Sequence, residues 1–91
     1  MYKIKEYSFN QARKLGVTIK PSQRKFKKID VFKDGKKVAS IGDVRYDDYP
    51  TFIIKKGKEH ADKRRALYKI RHNKTRGKVG TPSYYADKIL W

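Results

Sequence analysis

The sequence predicts a small single α+β domain, an antiparallel β-hairpin or sheet packed by two or three helices. Three observations carry this. Lys33-Asp34-Gly35-Lys36 separates two β-prone runs, Ile29–Val31 and Val38–Ile41, and Asp-Gly in that position is a strong hairpin signal. Beyond Gly57 the residues Ala61, Ala66, Leu67, Tyr68 and Ile70 recur at helical spacing. Thr81-Pro82 is an N-cap followed by proline at the first helical position. A chain of 91 residues makes one domain, residues 1–91, with a thin core.

The elements follow in chain order. MYKIKEY alternates, which predicts a short edge strand guarded by lysines. Ser8-Phe9-Asn10-Gln11 has the form of a capping box opening a short helix, and Gly16 ends it, so residues 1–16 form a strand and a short helix. Residues 17–28, broken by Pro21, read as a mobile basic linker carrying Lys20, Arg24, Lys25, Lys27 and Lys28. Residues 29–91 hold the hairpin and the helices. Gly42 is expected at a positive φ or a bulge. Thr51 can cap a short helix to Lys56, Gly57 breaks it, and the basic helix follows, packing on the hairpin through Leu67 and Ile70. Residues 73–81 read as a loop. The last helix, Pro82–Trp91, turns Tyr84, Tyr85, Ile89, Leu90 and Trp91 inward, with Trp91 largely buried.

Charge sets the class of partner. The net charge is +16, and the excess is spread over both halves: 13 basic and 6 acidic side chains in residues 1–50, 12 and 3 in residues 51–91. Lys55–Lys78 alone holds eleven Lys or Arg against Glu59 and Asp62. Clustered charge of one sign is an electrostatic footprint for a polyanion. Nucleic acid comes first, DNA ahead of RNA, with an acidic virion or capsid protein second. No apolar run approaches the roughly 20 residues that span a bilayer, so no membrane is expected, and MYKIKEY is not a signal peptide. The chain has no Cys, hence no disulfide and no thiolate zinc site.

The candidate nucleic-acid-binding residues are Lys25, Lys27 and Lys28 from the linker, Arg64, Arg65, Tyr68, Arg71 and His72 from the basic helix, and Lys74 and Arg76 beyond it. Arg64, Tyr68, Arg71 and His72 fall near one face at 100° per residue. Tyr46, Tyr49, Tyr68, Tyr84, Tyr85 and Trp91 interleave with basic residues, as in single-strand binding surfaces. A small domain short of aliphatics also builds its core from aromatics. That reading is the stronger for Tyr85 and Trp91, while Tyr46 and Tyr68 fit either.

No catalytic residue, metal ligand or cofactor is assigned. Asp43, Asp47 and Asp48 flank Tyr46 and invite comparison with a metal-dependent nuclease. They lack a second acid-x-Lys element and fit turns, a helix cap and lysine partners instead. His60 and His72, twelve residues apart, are about 18 Å apart along one helix, too far to share a metal.

KIDVFKDGKKVASIGDVRYDDYP, KEHADKRRALYKIRH and the final YYADKILW together resemble a family of short basic proteins encoded by large DNA viruses of protists and by some tailed phages. The matching positions are Ile41-Gly42-Asp43, Tyr46, Asp48, Tyr49, Arg64-Arg65, Tyr68, Arg71-His72 and Leu90-Trp91, within residues 26–91; SFNQARKLGVTIKPS is similar to the phage-type members. The resemblance implies a viral setting, virion or host cytoplasm rather than secretion, and brings no mechanism. It supports two expectations: a protein binding nucleic acid largely non-specifically through phosphates, and, as the alternative, a minor capsid, cement or connector component.

Overall fold

The computed structural model describes residues 2–91 and has the expected class: a three-stranded antiparallel sheet with four helices. The order is α1 (Glu6–Leu15), β1 (Thr18–Pro21), β2 (Lys27–Lys33), β3 (Lys36–Asp43), α2 (Tyr49–Lys56), α3 (Lys58–Arg71) and α4 (Pro82–Ile89). β2 is central. Ile19 pairs with Val31 on one side, and Ile29 with Ile41 on the other. Asp34 and Gly35, both at positive φ, make the hairpin turn, and a register shift follows Val31.

Ile19, Ile29, Val31, Ala39 and Ile41 form the inner face of the sheet and meet Ala12 of α1 with Tyr85, Ile89 and Leu90 from the chain's end. The opposite side of β2 is also enclosed, and its polar groups are satisfied. Ser22 and Ser40 Oγ each donate to Asp30 Oδ1 at 2.7 Å, tying the flanks of β2 to its centre.

The N-terminal third departs from expectation. Tyr2–Lys5 is not a strand; the helix already begins at Glu6. The alternation of Tyr2 and Ile4 reflects packing on the core, while the edge-strand position belongs to Thr18–Pro21. Residues 17–28 are therefore not a free linker: β1 hydrogen-bonds to β2, and Ser22 N donates to Lys28 O. Nor is Ser8 a cap. It lies inside α1, wholly buried, and its Oγ donates to Ile89 O at 2.9 Å, while Gln11 Nε2 donates to Lys88 O at 3.0 Å. The pair that resembles a capping box satisfies the orphan carbonyls of a different helix, α4.

Two glycines shape the C-terminal two-thirds. Gly57 (φ 89°, ψ 166°) separates α2 from α3 in a conformation closed to side chains bearing a Cβ. At Gly42 (φ 77°) a Cβ would stand 2.7 Å from Leu90 Cδ1 and 3.0 Å from Lys28 Cδ, so only glycine lets α4's end close over the sheet. The helix before Gly57 starts at Tyr49, and its cap is Asp48, whose side chain accepts from Thr51 N, so Thr51 is not the cap. Thr81 caps α4 as expected, accepting from Tyr84 N.

α3 packs chiefly on α2, not on the hairpin. Ala61 and Tyr68 face inward, whereas Leu67 and Ile70 are 57% and 73% exposed. At 100° per residue Ile70 lies opposite Ala61 and Tyr68 and Leu67 stands on the flank about 100° from Tyr68, so once Tyr68 turns in, neither can face the same surface. Trp91 is partly, not largely, buried; Ile89 and Leu90 supply the enclosed aliphatics at that end.

Candidate nucleic-acid interface

A cleft of about 230 Å³ opens between the ends of β2 and β3, the 43–48 loop and the C-terminal turn of α3. Lys27, Tyr46, Tyr68, Arg71, His72 and Trp91 line it. Its back wall is a column of rings. Tyr68 and Trp91 stack at 4.5 Å with an interplanar angle of 9°, and His72 lies 4.3 Å from Tyr68 on the same helix. The column follows from i, i+4 spacing: Tyr68 and His72 share the inward face of α3, and Trp91 reaches them from the end of α4. Phe52 of α2 approaches Trp91 at 6.1 Å and holds the guanidinium of Arg64 over its ring at 5.4 Å. A neighbouring groove joins Arg64, Tyr68, Arg71 and Trp91.

The structure sorts the sequence-predicted residues into two sets. Lys27, Tyr68, Arg71 and His72 meet at the cleft, with Arg64 beside it. Arg64 and Arg71 are exposed and stand on one flank of α3, and neither they nor Lys27 has an acid within 4 Å. Lys74 is exposed in the turns after α3. Lys25 lies over the exposed ring of Phe26 at 5.1 Å, with Arg45 over the same ring at 5.0 Å.

Three predicted residues are withdrawn into the fold. Lys28 is buried, and its Nζ is 2.9 Å from Asp48 Oδ2, with the two side chains 5% and 1% exposed. Arg65 lies 3.6 Å over the ring of Tyr49 and donates to Tyr7 Oη. Arg76 is half-buried, 3.6 Å from the enclosed carboxylate of Asp87, which also takes Lys69 at 2.5 Å. Sequence periodicity could not separate Arg64 from Arg65. The distinction depends on which side α2 covers, and Tyr49 is the residue that decides it.

The acids around the cleft are already neutralised. Asp43 is held by Arg45 at 2.7 Å, Asp47 by Lys55 at 3.3 Å and Asp48 by Lys28. Hydrogen bonds from the Arg45 side chain and backbone N–H, aided by its charge, hold Asp43 down at about 2. Burial opposes ionisation of Asp48. The Lys28 charge and hydrogen bonds from Lys28, Thr51 N and Tyr2 outweigh it and keep its pKa below the ordinary carboxylate value. Burial, then the Arg71 cation, lowers His72 below its ordinary value and so disfavours its charged form. Burial, with the Asp87 charge, pushes Tyr68 up to about 12.

Tyr46 and Trp91 also belong to this site; the interleaving of aromatics with basic residues pointed to both, but left Tyr46 balanced between stacking and core and favoured core for Trp91. Tyr46 is 70% exposed at the cleft mouth, and Trp91 reads in the sequence as core. Among the described residues no three His, Cys, Asp or Glu side chains are grouped to hold a metal ion, and no helix is long and apolar enough to cross a membrane. No protein-family model, curated protein or solved structure matches this chain, which leaves geometry and charge as the grounds for its function.

Proposed function

We propose that this chain binds nucleic acid, DNA first, largely without sequence preference and through phosphate contacts. The observation that carries this is that the half-buried Lys27 and the exposed Arg64 and Arg71, none with an acid partner, stand around a cleft whose carboxylates are each neutralised by another side chain. Arg presents a planar fork to a phosphate and Lys a point charge, and such contacts position a protein without reading bases. Lys25 and Lys74 extend the positive surface on either side. The viral setting implied by the resemblance fits a protein that coats or accompanies a genome.

The test is fluorescence anisotropy with duplex DNA over a range of salt. Affinity should fall with a log–log slope of about −0.9 per phosphate neutralised. Replacing Lys27, Arg64 and Arg71 together by Gln should flatten that slope by roughly two to three units. No binding at low salt, or an unchanged slope in the triple variant, would remove this surface from consideration.

A second reading, a virion structural component meeting acidic coat subunits, is favoured by one feature. Ala66, Leu67 and Ile70 form an exposed apolar strip on α3 beside the Arg64–Arg71 flank, and phosphates would not cover it. Such a component would co-purify with particles at fixed copy number.

A further inference from the structure

Phosphate binding needs cations and no aromatic cleft, yet the unpartnered cations here surround one. Its back wall is the His72–Tyr68–Trp91 column, and Tyr46 stands at its mouth with most of its ring in solvent. An exposed tyrosine of this kind is large, rigid and loses little entropy when a flat partner covers it. At about 230 Å³ the cleft falls below the usual range for whole ligands, roughly 300–1,000 Å³, and suits a single ring system. The buried side-chain groups without a partner among the described residues belong to Thr51, Arg65, Arg76 and Asp87, and none of these lines the cleft. The rings of the wall and the cations beside it suit an occupant held chiefly by its flat face and its charge. Lys27 on the sheet side and Arg71 on the helix side stand where the charge would fall.

We infer that this cleft takes an unpaired nucleobase, so that single-stranded nucleic acid is the preferred ligand. The base stacks among Tyr46 and the rings of the column, and the flanking phosphates lie on Lys27 and Arg71. A paired base presents only its edge from within a duplex and cannot enter. Stacking on rings accepts any base, so the preference is for single strands and not for a sequence. This rests on the proposed binding of nucleic acid and adds which form is bound and where.

Trp91 is the only tryptophan in the chain, so its emission reports on the column directly. The full chain is titrated with three probes of equal length at one salt concentration: oligo-dT, an abasic oligonucleotide with the same phosphates, and a duplex. Anisotropy and tryptophan emission are followed together. Oligo-dT should quench Trp91 and bind tighter than the abasic strand by about 5- to 150-fold per stacked base, the range for base–aromatic stacking. The abasic strand and the duplex should bind without quenching. Tyr46→Ala, a substitution at an exposed site, should lose most of the difference between oligo-dT and the abasic strand while keeping duplex affinity. Equal affinity for oligo-dT and the abasic strand would overturn the inference and leave phosphate binding standing. Discrimination retained in Tyr46→Ala with unaltered Trp91 emission would place the base elsewhere and overturn it too. No binding of any probe at low salt would sink the inference together with the reading beneath it.

Discussion

Ile29, Val31 and Ile41 on the sheet side are enclosed aliphatics, packed on others from α1 and α4. On the α2–α3 side the enclosed groups are Tyr49, Ala61 and Tyr68, and the layer is joined to the rest through directional contacts. Lys28 reaches Asp48, Arg65 donates to Tyr7, Lys69 reaches Asp87, and Trp91 stacks on Tyr68. Aliphatic burial is non-directional and fixes which surfaces meet. Ion pairs and stacked rings fix the angle at which they meet. The difference teaches how a chain of charge +16 keeps a defined shape. Asp48 and Asp87 sit at the seam, where they hold Lys28 and Lys69 inward, while cations such as Arg64 and Arg71 are left without an acid partner.

If the seam orients the α2–α3 layer, breaking it should cost more than trimming the aliphatic core. Asp48→Asn is the sharpest substitution, because asparagine can still cap α2 while Lys28 is left buried without a counter-charge. At pH 7 we expect a loss of about 3–5 kcal/mol, against about 0.5–1.5 kcal/mol for Ile29→Val. The pH dependence identifies the cause. The folded pKa of Asp48 is depressed, so its contribution is full above the unfolded value of about 3.9 and is lost as pH falls through the folded value. The gap between wild type and Asp48→Asn should therefore close on acidification below about pH 4. Urea titrations of both proteins at neutral and acid pH measure it. A neutral-pH cost below that of Ile29→Val would reverse the ranking of seam and core.

Adjacent arginines offer the next test, with a smaller effect. Arg65 lies on Tyr49 inside the seam, and Arg64 stands outside it over Phe52. Arg65→Gln should lower stability by about 1 kcal/mol, the scale of a partly desolvated cation–π contact. For a domain of this length that is roughly 4–8 °C in Tm. It should leave the salt dependence of DNA binding unchanged. Arg64→Gln should do the reverse, and thermal melts beside anisotropy titrations separate them. Equal effects of the two on the salt slope would show that the seam does not divide α3 as described.

The same division explains what the sequence revealed. The hairpin, the turn at Asp34-Gly35, the break at Gly57 and the cap at Thr81 were legible because each depends on local backbone chemistry. Tyr2–Lys5, Ser8, Lys28 and Arg65 were not, because each is decided by a partner distant in the chain: Tyr2 and Lys28 by Asp48, Ser8 by Ile89, Arg65 by Tyr49. Periodicity showed that α3 has an apolar side and could not choose between Leu67 with Ile70 and Ala61 with Tyr68. At the candidate site, Arg64, Arg71, Tyr68 and His72 came from that one helix, so their proximity was readable. Lys27 was readable as a charge but not as a cleft residue. Tyr46 and Trp91 come from a loop and the end of α4, and only the fold brings them to the helix.

The smallest expected effect belongs to the outward side of α3. Ala61 and Tyr68 point into the molecule, and at 100° per residue Ile70 falls on the far side of the helix and Leu67 on its flank, both exposed. An apolar side chain with most of its surface already in water contributes little burial on folding, whatever its hydrophobicity. Leu67→Gln with Ile70→Gln should therefore change stability by no more than about 0.5 kcal/mol, as surface substitutions generally do. Glutamine also replaces the β-branched isoleucine with a better helix former, which offsets part of any loss. Had these two residues packed on the hairpin, burying uncompensated amides there would cost several kcal/mol. A chemical melt of the double variant separates the outcomes cleanly. A loss above about 2 kcal/mol would mean that α3 presents its other face to the protein, and the flank bearing Arg64 and Arg71 would no longer stand beside Trp91.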